Sequence, residues 1–386
     1  MRQPARSWDI FCSVVDNFGD VGVCWRLSRQ LTSEYGCRVR LWIDDLHTFA
    51  KFAPDHIAHD AAIIDGVEVR HWSQPLPDVV PHEVVVEAFG CHPPESFLHA
   101  MAARGNAPIW LNLEYLSAEG WIEGCHGLSS RHGQLPLSRY FFFPGFSDKT
   151  GGLLREHQLI THSAAYQADA HAQAALWHRI GAKDEDVRDR LRLSLFAYEN
   201  TALEALLNHW EHAAPRTLFV ADGKPRIQLA HWLGQQFAIG TRLQRGNLTL
   251  IALPFLSQDD YDRLLWACDV NFVRGEDSFV RAQWAARPFV WHIYPQEEGV
   301  HFTKLDAFLR RFDQGATQDL ADAYRAFSMA WNGAAGYDPV ACWNVLESMK
   351  DKWNQQSINW RNQLAGHDDL VTQLVRFVDE RSLPSD

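Results

Sequence analysis

Uninterrupted apolar runs alternate with longer mixed stretches through the first half of the chain. Runs such as FCSVV and EVVVEAF are apolar at consecutive positions, as strands are when helices cover both faces of a parallel sheet. The pattern predicts strands at Trp8–Val15, Arg38–Ile43, Val67–Trp72, Val84–Phe89, Pro108–Leu113 and Tyr140–Phe143. We therefore predict a parallel sheet flanked by helices in this half.

The second half repeats the alternation more clearly. Strands are predicted in RLRLSLFAYE, TLFVAD, LTLIALPF, DVNFVRG and PFVWHIYP, with helices in TALEALLNHWEH, IQLAHWLGQQF, SQDDYDRLLWAC and DSFVRAQWAA. Asn200 or Thr201 is the expected cap of the first helix, and Ser257 that of the third, where acids follow in the first turn. Four or five successive strand–helix units indicate a second doubly wound domain.

The chain as a whole is predicted to be an α/β protein with two Rossmann-like, doubly wound domains facing a cleft and a helical C-terminal tail. Its 386 residues exceed one ordinary core. The polar, Ala-rich stretch Gly151–Gly181 lacks strands, and beyond Tyr294 the pattern is helical. We place the domains at 1–165 and 166–360, with a terminal helix at 361–386 that packs back toward the first domain.

Composition narrows the class of protein. With 46% hydrophobic and 22% charged residues the chain is a folded globular protein, and most of its 16 Trp are expected in cores. A net charge of −12 argues against nucleic-acid binding. We find neither a signal peptide nor an apolar run approaching about 18 residues, so we expect no membrane span and a cytoplasmic location. Seven Cys without a C-x-x-C pair are expected to be reduced thiols.

A glycine-bearing turn follows the first predicted strand. It reads DNFGDVG from Asp16 to Gly22 and lacks the G-x-G-x-x-G fingerprint of dinucleotide-binding folds. Two carboxylates, Asp16 and Asp20, stand four residues apart where such a fold presents backbone to a ligand. They suit a general base with an orienting partner. The alternative is that Asp16 ends the strand and Asp20 caps the helix.

A second such turn, rich in polar groups, lies in NFVRGEDSFVRAQW, between Asn271 and Trp284. Free N–H groups and the Ser278 hydroxyl at a helix start can hold a diphosphate. Glu276 and Asp277 would repel a diphosphate, so we assign them to sugar hydroxyls. The alternative is a helix N-terminus that carries acids because its dipole favours them.

Other predicted strand ends bear candidate ligand contacts. Phe255 is placed to stack on a base and Gln258 to read the edge of that base, with burial of Phe255 in the core as the alternative. Phe196 and Tyr198 end another strand and are candidates for base or phosphate contacts, with the same alternative. Glu114, after a strand of the first half, is a candidate to face the cleft.

No metal site is predicted. The 19 His form no H-x-x-x-H or H-x-H pair, and no D-x-D motif stands between two predicted strands to hold a metal-bound diphosphate.

Several of these strings resemble a known family, the bacterial protein-arginine rhamnosyltransferases (EarP family) that modify translation elongation factor P. The resemblance lies in DNFGDVGVCWRL, NLEYLSAEGW, FFFPGF and GEDSFVRAQWA followed by PFVWHIYPQ. It spans the whole chain, and RGEDSFVRAQWA is its most specific part.

The resemblance implies a GT-B fold, with an acceptor domain followed by a nucleotide-sugar domain. It implies transfer of L-rhamnose from dTDP-β-L-rhamnose, a co-substrate rather than a cofactor, to an arginine of elongation factor P with inversion. Asp20 is the implied general base, with Asp16 close by, and Glu276 is catalytic or donor-positioning. The implied donor contacts are Phe18, Gly19, Tyr198, Phe255, Gln258, Asp277 and Ser278, with Phe196, Glu114 and Gln283 as weaker transfers.

An enzyme that glycosylates arginine has to orient and activate it, because arginine stays protonated in proteins and is a poor nucleophile. Carboxylates that orient the guanidinium and take a proton meet that need. Two alternatives are a nucleotide-sugar epimerase or hydrolase without a protein acceptor, and a non-catalytic nucleotide-sugar binding protein.

Overall fold

A computed structural model of the chain describes residues 6–14, 18–53, 61–73 and 75–382. The chain divides into two compact units, Met1–His157 with Ala365–Asp386, and Gln158–Leu364. The predicted boundaries were 165 and 360. Asp16, one of the two predicted carboxylates of the first turn, lies outside the described residues.

The first unit is built on an eight-stranded sheet. Its strands are β1 (Ser7–Cys12), β2 (Arg38–Ile43), β3 (Ala61–Ile64), β4 (Val67–His71), β5 (Val84–Ala88), β6 (Ile109–Leu113), β7 (Ser129–Arg131) and β8 (Ser138–Phe142). They are ordered β3-β4-β2-β1-β5-β6-β8-β7. The interior pairs are parallel, as predicted, but the short edge strands β3 and β7 pair antiparallel and were not predicted.

Helices cover both faces of this sheet. They are α1 (Phe18–Tyr35), α2 (Leu46–Phe49), α3 (Glu95–Ala102) and the C-terminal α15 (Leu370–Ser382), with a 3₁₀ turn at Gly120–Gly124. One core contains Trp8 and Ile10 of β1 with residues of α1 and α15. The other contains Phe11 of β1 with residues of α3. Alternate residues of β1 thus enter different cores, which explains its continuous apolar run.

One buried carboxylate in β1 is fully paired. Asp9 accepts hydrogen bonds from Arg40 at 2.6 and 2.9 Å, from the Trp42 indole at 2.9 Å and from the His82 backbone at 2.8 Å. A buried charge is tolerated when it is paired in this way. Asp9 is therefore structural.

The second unit contains a six-stranded sheet. Its strands are β9 (Leu191–Leu195), β10 (Arg216–Val220), β11 (Arg242–Arg245), β12 (Leu248–Ala252), β13 (Val270–Arg274) and β14 (Phe289–His292), ordered β11-β12-β10-β9-β13-β14. The five predicted strands are all present and run parallel. The antiparallel edge strand β11 was not predicted.

The second unit is otherwise helical. Its helices are α4 (Leu159–Ala168), α5 (Ala170–Arg179), α6 (Asp184–Val187), α7 (Leu203–Trp210), α8 (Lys224–Leu233), α9 (Gln258–Ala267), α10 (Asp277–Trp284), α11 (Val300–Phe312), α12 (Gln318–Trp331), α13 (Pro339–Ser348) and α14 (Lys350–Ala365), with a 3₁₀ turn at Glu297–Gly299. Buried aromatic rings, Trp210, Trp331 and Trp343 among them, pack around Phe272 of β13. The expectation that many Trp fill cores is confirmed for these residues.

Helix starts matched the sequence prediction in one case and differed in another. Ser257 caps α9 as predicted, since its side chain accepts from the Asp260 N–H at 3.2 Å. The cap of α7 was predicted at Asn200 or Thr201, but the helix begins later, at Leu203, with Ala202 at the cap position. Asn200 instead accepts from the Ala202 N–H at 2.8 Å and forms the preceding turn.

Each sheet has a topological switch point, where successive strands run outward in opposite directions. In the first unit it lies between β1 and β5, and in the second between β9 and β13. Open α/β sheets bind ligands at the carboxyl ends of the strands beside such a point. No helix in the described ranges combines the length and apolar character needed to cross a membrane.

Candidate active site

An arginine marks the switch point of the second unit. Arg274 is the last residue of β13 and is only 9% exposed. Its guanidinium lies 4.4 Å from the ring centre of Phe196 and 4.6 Å from that of Tyr198, both just beyond β9. Two aromatic faces thus hold a cation at the edge where a ligand is expected. Arg274 lies within the predicted turn, but no role is predicted for it from the sequence.

The turn after Arg274 is fixed by a serine. Gly275 has a φ of +60°, a conformation that favours glycine. The Ser278 hydroxyl donates to the Arg274 carbonyl and accepts from the Arg274 N–H. The hydroxyl is thus engaged with its own turn, so the part of this turn best suited to an anion is the row of N–H groups that opens α10.

The two acidic residues of this turn stand at the helix start. Glu276 occupies the cap position of α10, and its side chain makes no capping hydrogen bond. Asp277 is the first helical residue. Both acids thus stand where the helix dipole favours a carboxylate, so the alternative that they serve the helix stays open beside a role at the sugar.

The start of α9 supplies a second surface at the same edge. Phe255, in the loop after β12, is 38% exposed, and Gln258, the first residue of α9, is buried. The structure therefore contradicts the alternative that Phe255 is buried in the core. An exposed aromatic ring can stack on a base, and an amide can bond to the edge of a base.

Two further side chains of the second unit join this edge and were not predicted. His292 ends β14 and Tyr294 follows it, and their rings contact Tyr198 at 5.4 and 5.3 Å. Tyr294 is exposed, whereas His292 is buried. Burial, followed by the charges of Arg274 and His301, lowers the pKa of His292 to about 3, so its ring is neutral. Both residues lie at the end of the predicted strand PFVWHIYP, and this position is the sequence feature that could have identified them as candidates.

In the first unit, Asp20 lies at the switch point, in the first turn of α1. Its side chain is only 3% exposed. Since α1 begins at Phe18, Asp20 is inside the helix, and the alternative that it caps the helix is wrong. The N-terminus of a helix favours the charged form of a carboxylate in its first turn, and the charged form is the one that can accept a proton.

Phe18 and Gly19 open the same helix. The Phe18 ring packs edge-on against Phe52 at 6.0 Å and lies under the Lys51 ammonium at 4.9 Å. Phe18 and Gly19 are both half-buried. These contacts show how Phe18 anchors the start of α1.

A third carboxylate of the first unit follows β6. Glu114 is half-buried, and burial raises its pKa, an effect that the hydrogen bond from Asn112 at 2.7 Å opposes. On the neighbouring strand β5, Glu87 is fully buried and pairs with Arg139 at 2.6 Å. Glu114 follows the carboxyl end of β6, and its hydrogen bond with Asn112 fixes its orientation.

Gln283, which the resemblance implies as one of the less specific donor contacts, is completely buried in α10. Its oxygen accepts from the Trp360 indole at 2.8 Å, and its nitrogen donates to the Phe279 carbonyl at 3.2 Å. Both polar ends are thus used inside the second unit. We therefore leave Gln283 out of the proposed donor site.

No group of three or more His, Cys, Asp or Glu side chains with the geometry of a metal site occurs in the described portion of the chain.

Relatives were found over nearly the full length of the chain. The sequence model of the family described as Elongation-Factor P (EF-P) rhamnosyltransferase EarP matches residues 8–379 of the chain. A protein-arginine rhamnosyltransferase of Pseudomonas aeruginosa is 48% identical, covering 96% of this chain and 98% of that protein. One of Shewanella oneidensis is 40% identical, with 97% and 98% covered.

Solved structures are also similar. One that describes EarP-mediated arginine glycosylation of elongation factor EF-P matches with a TM-score of 0.70 and 34% identity, covering 98% of this chain and 100% of that one. A glycosyltransferase of Rickettsia africae, with a TM-score of 0.57 and 8% identity, covers 99% and 100% and supports the GT-B fold alone. The chain therefore belongs to the EarP family of protein-arginine rhamnosyltransferases and has their two-domain GT-B fold.

Proposed function

We propose that the chain transfers L-rhamnose from dTDP-β-L-rhamnose to one arginine of translation elongation factor P, with inversion at the anomeric carbon. Transfer of rhamnose to a protein arginine is the activity that names the family, and the nucleotide donor, the acceptor and the stereochemistry are the proposed part. The observation that carries the proposal is the Arg274 guanidinium between Phe196 and Tyr198, directly before the turn that opens α10.

This arrangement suits a diphosphate leaving group. As the bond to the sugar breaks, negative charge grows on the diphosphate, and a buried cation together with helix N–H groups stabilises it. Tyr198 lies beside this cation and is a proposed phosphate contact, with the backbone of Asp277 and Ser278. No metal is required for this role, and we propose that the reaction is metal-independent and uses no cofactor.

The base of the nucleotide is assigned to the start of α9. Phe255 exposes enough of its ring to stack on thymine, and Gln258 presents an amide to the edge of that base. Glu276, at the start of α10, is assigned to hydroxyls of the rhamnose. Phe196 contributes by holding Arg274.

Asp20 is assigned as the general base. A guanidinium nitrogen of the acceptor attacks the anomeric carbon, and the bond from that carbon to the diphosphate oxygen breaks. The electron pair leaves with dTDP, and the nitrogen loses its proton to the Asp20 carboxylate. Attack from the face opposite the leaving group inverts the configuration. Asp16 is the proposed partner of Asp20, and Phe18, Gly19 and Glu114 are proposed to support the sugar and the guanidinium.

The proposed partners are elongation factor P and dTDP-rhamnose, without nucleic acid or membrane, in the cytoplasm. The net charge of −12 is consistent with a protein acceptor that presents a cation.

Release of dTDP from dTDP-rhamnose tests the proposal. We expect release only when elongation factor P is present. Release without any acceptor would indicate a hydrolase, and binding without release under either condition would indicate a non-catalytic binding protein.

A further inference from the structure

A buried ion pair joins the two helices that begin at the proposed donor site. Arg281 of α10 donates from Nε to Asp262 Oδ1 of α9 at 3.0 Å and from Nη2 to Oδ2 at 2.6 Å. Arg281 is 2% exposed and Asp262 4%. The contact is thus a two-point bond shielded from water.

The pair lies about one helical turn inside each helix start. Arg281 is three residues after Ser278, in the diphosphate turn, and Asp262 is four residues after Gln258, at the base-binding end. A residue three or four positions along a helix lies on the same face. The ion pair therefore lies beneath both halves of the proposed nucleotide site.

Stability alone gives little reason for such a pair. A buried ion pair has a desolvation penalty close to its attraction, and well-packed apolar residues in its place are often as stable. A bidentate guanidinium–carboxylate contact does, however, fix distance and direction, because the planar fork matches two oxygens at once. What the pair supplies is geometry.

We propose that Arg281 and Asp262 are positioning residues that set the spacing between the base-binding start of α9 and the diphosphate turn before α10. This inference rests on the proposed donor. A nucleotide that touches both surfaces gains from their fixed spacing, because binding of one half presents the other half at high effective concentration. A free nucleoside or a free pyrophosphate touches one surface only and gains nothing.

The test compares the whole nucleotide with its parts. Arg281→Lys keeps the charge but loses the fork. We expect its affinity for dTDP to fall by about tenfold or more, while its affinities for thymidine and for inorganic pyrophosphate stay within about twofold of the unmodified protein. Calorimetry for dTDP and NMR titration for the two fragments measure these values. In turnover assays the donor KM should rise more than kcat falls.

A second ion pair, at the amino-terminal ends of strands β9 and β13, provides a matched control. Arg192 of β9 and Asp269, just before β13, form the same two-point bond, at 3.0 and 2.8 Å. Their pair is more exposed and lies at the amino-terminal ends of the strands. Arg192→Lys should leave the ratio of dTDP affinity to thymidine affinity unchanged.

A second variant covers the case in which Arg281→Lys does not fold. The double change Arg281→Met with Asp262→Leu leaves no unpaired buried charge, and we expect the same selective loss of dTDP affinity. Parallel loss of thymidine and dTDP affinity, or no loss of either, would overturn the positioning role. Failure of the unmodified protein to bind dTDP would instead refute the proposed donor.

Discussion

At the scale of single residues, the donor end of the second unit is organised around a cation held by aromatic rings. Arg274 lies against Phe196 and Tyr198, so its charge is shielded from water on two sides and held in one place. A surface lysine would be hydrated and mobile by comparison. The fixed position of this charge is what makes the edge suitable for a diphosphate.

Phe255 provides a residue-scale prediction. Phe255→Ala should weaken dTDP binding by about 1–3 kcal/mol, the usual contribution of an aromatic ring stacked on a base. Calorimetry with dTDP measures the change. Tyr337→Ala is the matched control, since Tyr337 is an aromatic residue of similar exposure in the same unit, between α12 and α13. Unchanged dTDP affinity in Phe255→Ala would show that no base stacks there.

His292 provides a prediction about pH. Its pKa in the folded protein is about 3, because burial disfavours the charged ring, whereas an unfolded histidine has a pKa of about 6.5. Between these values the unfolded chain binds a proton that the folded chain does not. The free energy of unfolding should therefore fall as pH drops below about 6.5, by up to about 1.4 kcal/mol per pH unit from this residue, until about pH 3.

Urea unfolding at several pH values between 4 and 7 measures that slope. His292→Phe should flatten it, because the variant has no proton to bind at this position. The same substitution at His171, an exposed residue of α5 in the same unit, is the control. Equal slopes in the His292 variant and the unmodified protein would contradict the prediction.

At the scale of elements, buried parallel strands were predictable and exposed edge strands were not. Strands such as β5 and β12 are buried along their whole length, so their sequences are continuously apolar. The edge strands β7 and β11 are mostly polar, β7 being exposed and β11 largely half-buried, and both are defined only by pairing with a neighbour. Such pairing depends on tertiary context, which no local pattern reports.

The candidate site was partly predictable for the same reason. Glycine turns after buried strands identify the ligand edge, and they led to Asp20, Glu276 and Ser278. Arg274 could have been found from its place at a strand end, but its contacts with Phe196 and Tyr198 join residues about 77 positions apart. The contact of Gln283 with Trp360 of a distant helix is likewise one that no local pattern reports.

Gln283 provides the element-scale prediction. Gln283→Leu leaves the Trp360 indole N–H without its acceptor, so the free energy of unfolding should fall by about 1–3 kcal/mol. The donor KM of the folded variant should remain near that of the unmodified protein. Gln355→Leu, at an exposed position of α14, should change stability by no more than about 0.5 kcal/mol. A raised donor KM with unchanged stability would return Gln283 to the donor site.

At the scale of the whole molecule, the chain joins two α/β units that each place polar side chains at a switch point. In the first unit, Asp20 lies at the switch point and Glu114 follows the nearby strand β6, and in the second unit Arg274 ends β13. The proposed division of acceptor chemistry from donor binding assigns one function to each sheet.

Metal independence is a prediction for the complete enzyme. Because Arg274 and the N–H groups that open α10 can stabilise the leaving diphosphate, transfer should proceed undiminished in the presence of a metal chelator. The rate of dTDP release with and without chelator measures this. A loss of activity that magnesium or manganese restores would contradict the proposed donor site.

The central claim is that one arginine of elongation factor P receives rhamnose, with Asp20 as the base, and mass spectrometry of the acceptor tests it most directly. After incubation with dTDP-rhamnose, we expect one added deoxyhexose, located on a single arginine by fragmentation. Asp20→Asn should slow its formation by about 10²–10⁴-fold, with dTDP affinity retained. An acceptor with lysine in place of that arginine should gain no sugar, since lysine lacks the planar fork that two carboxylate oxygens engage. Sugar on the lysine variant, or near-normal modification by Asp20→Asn, would contradict the account.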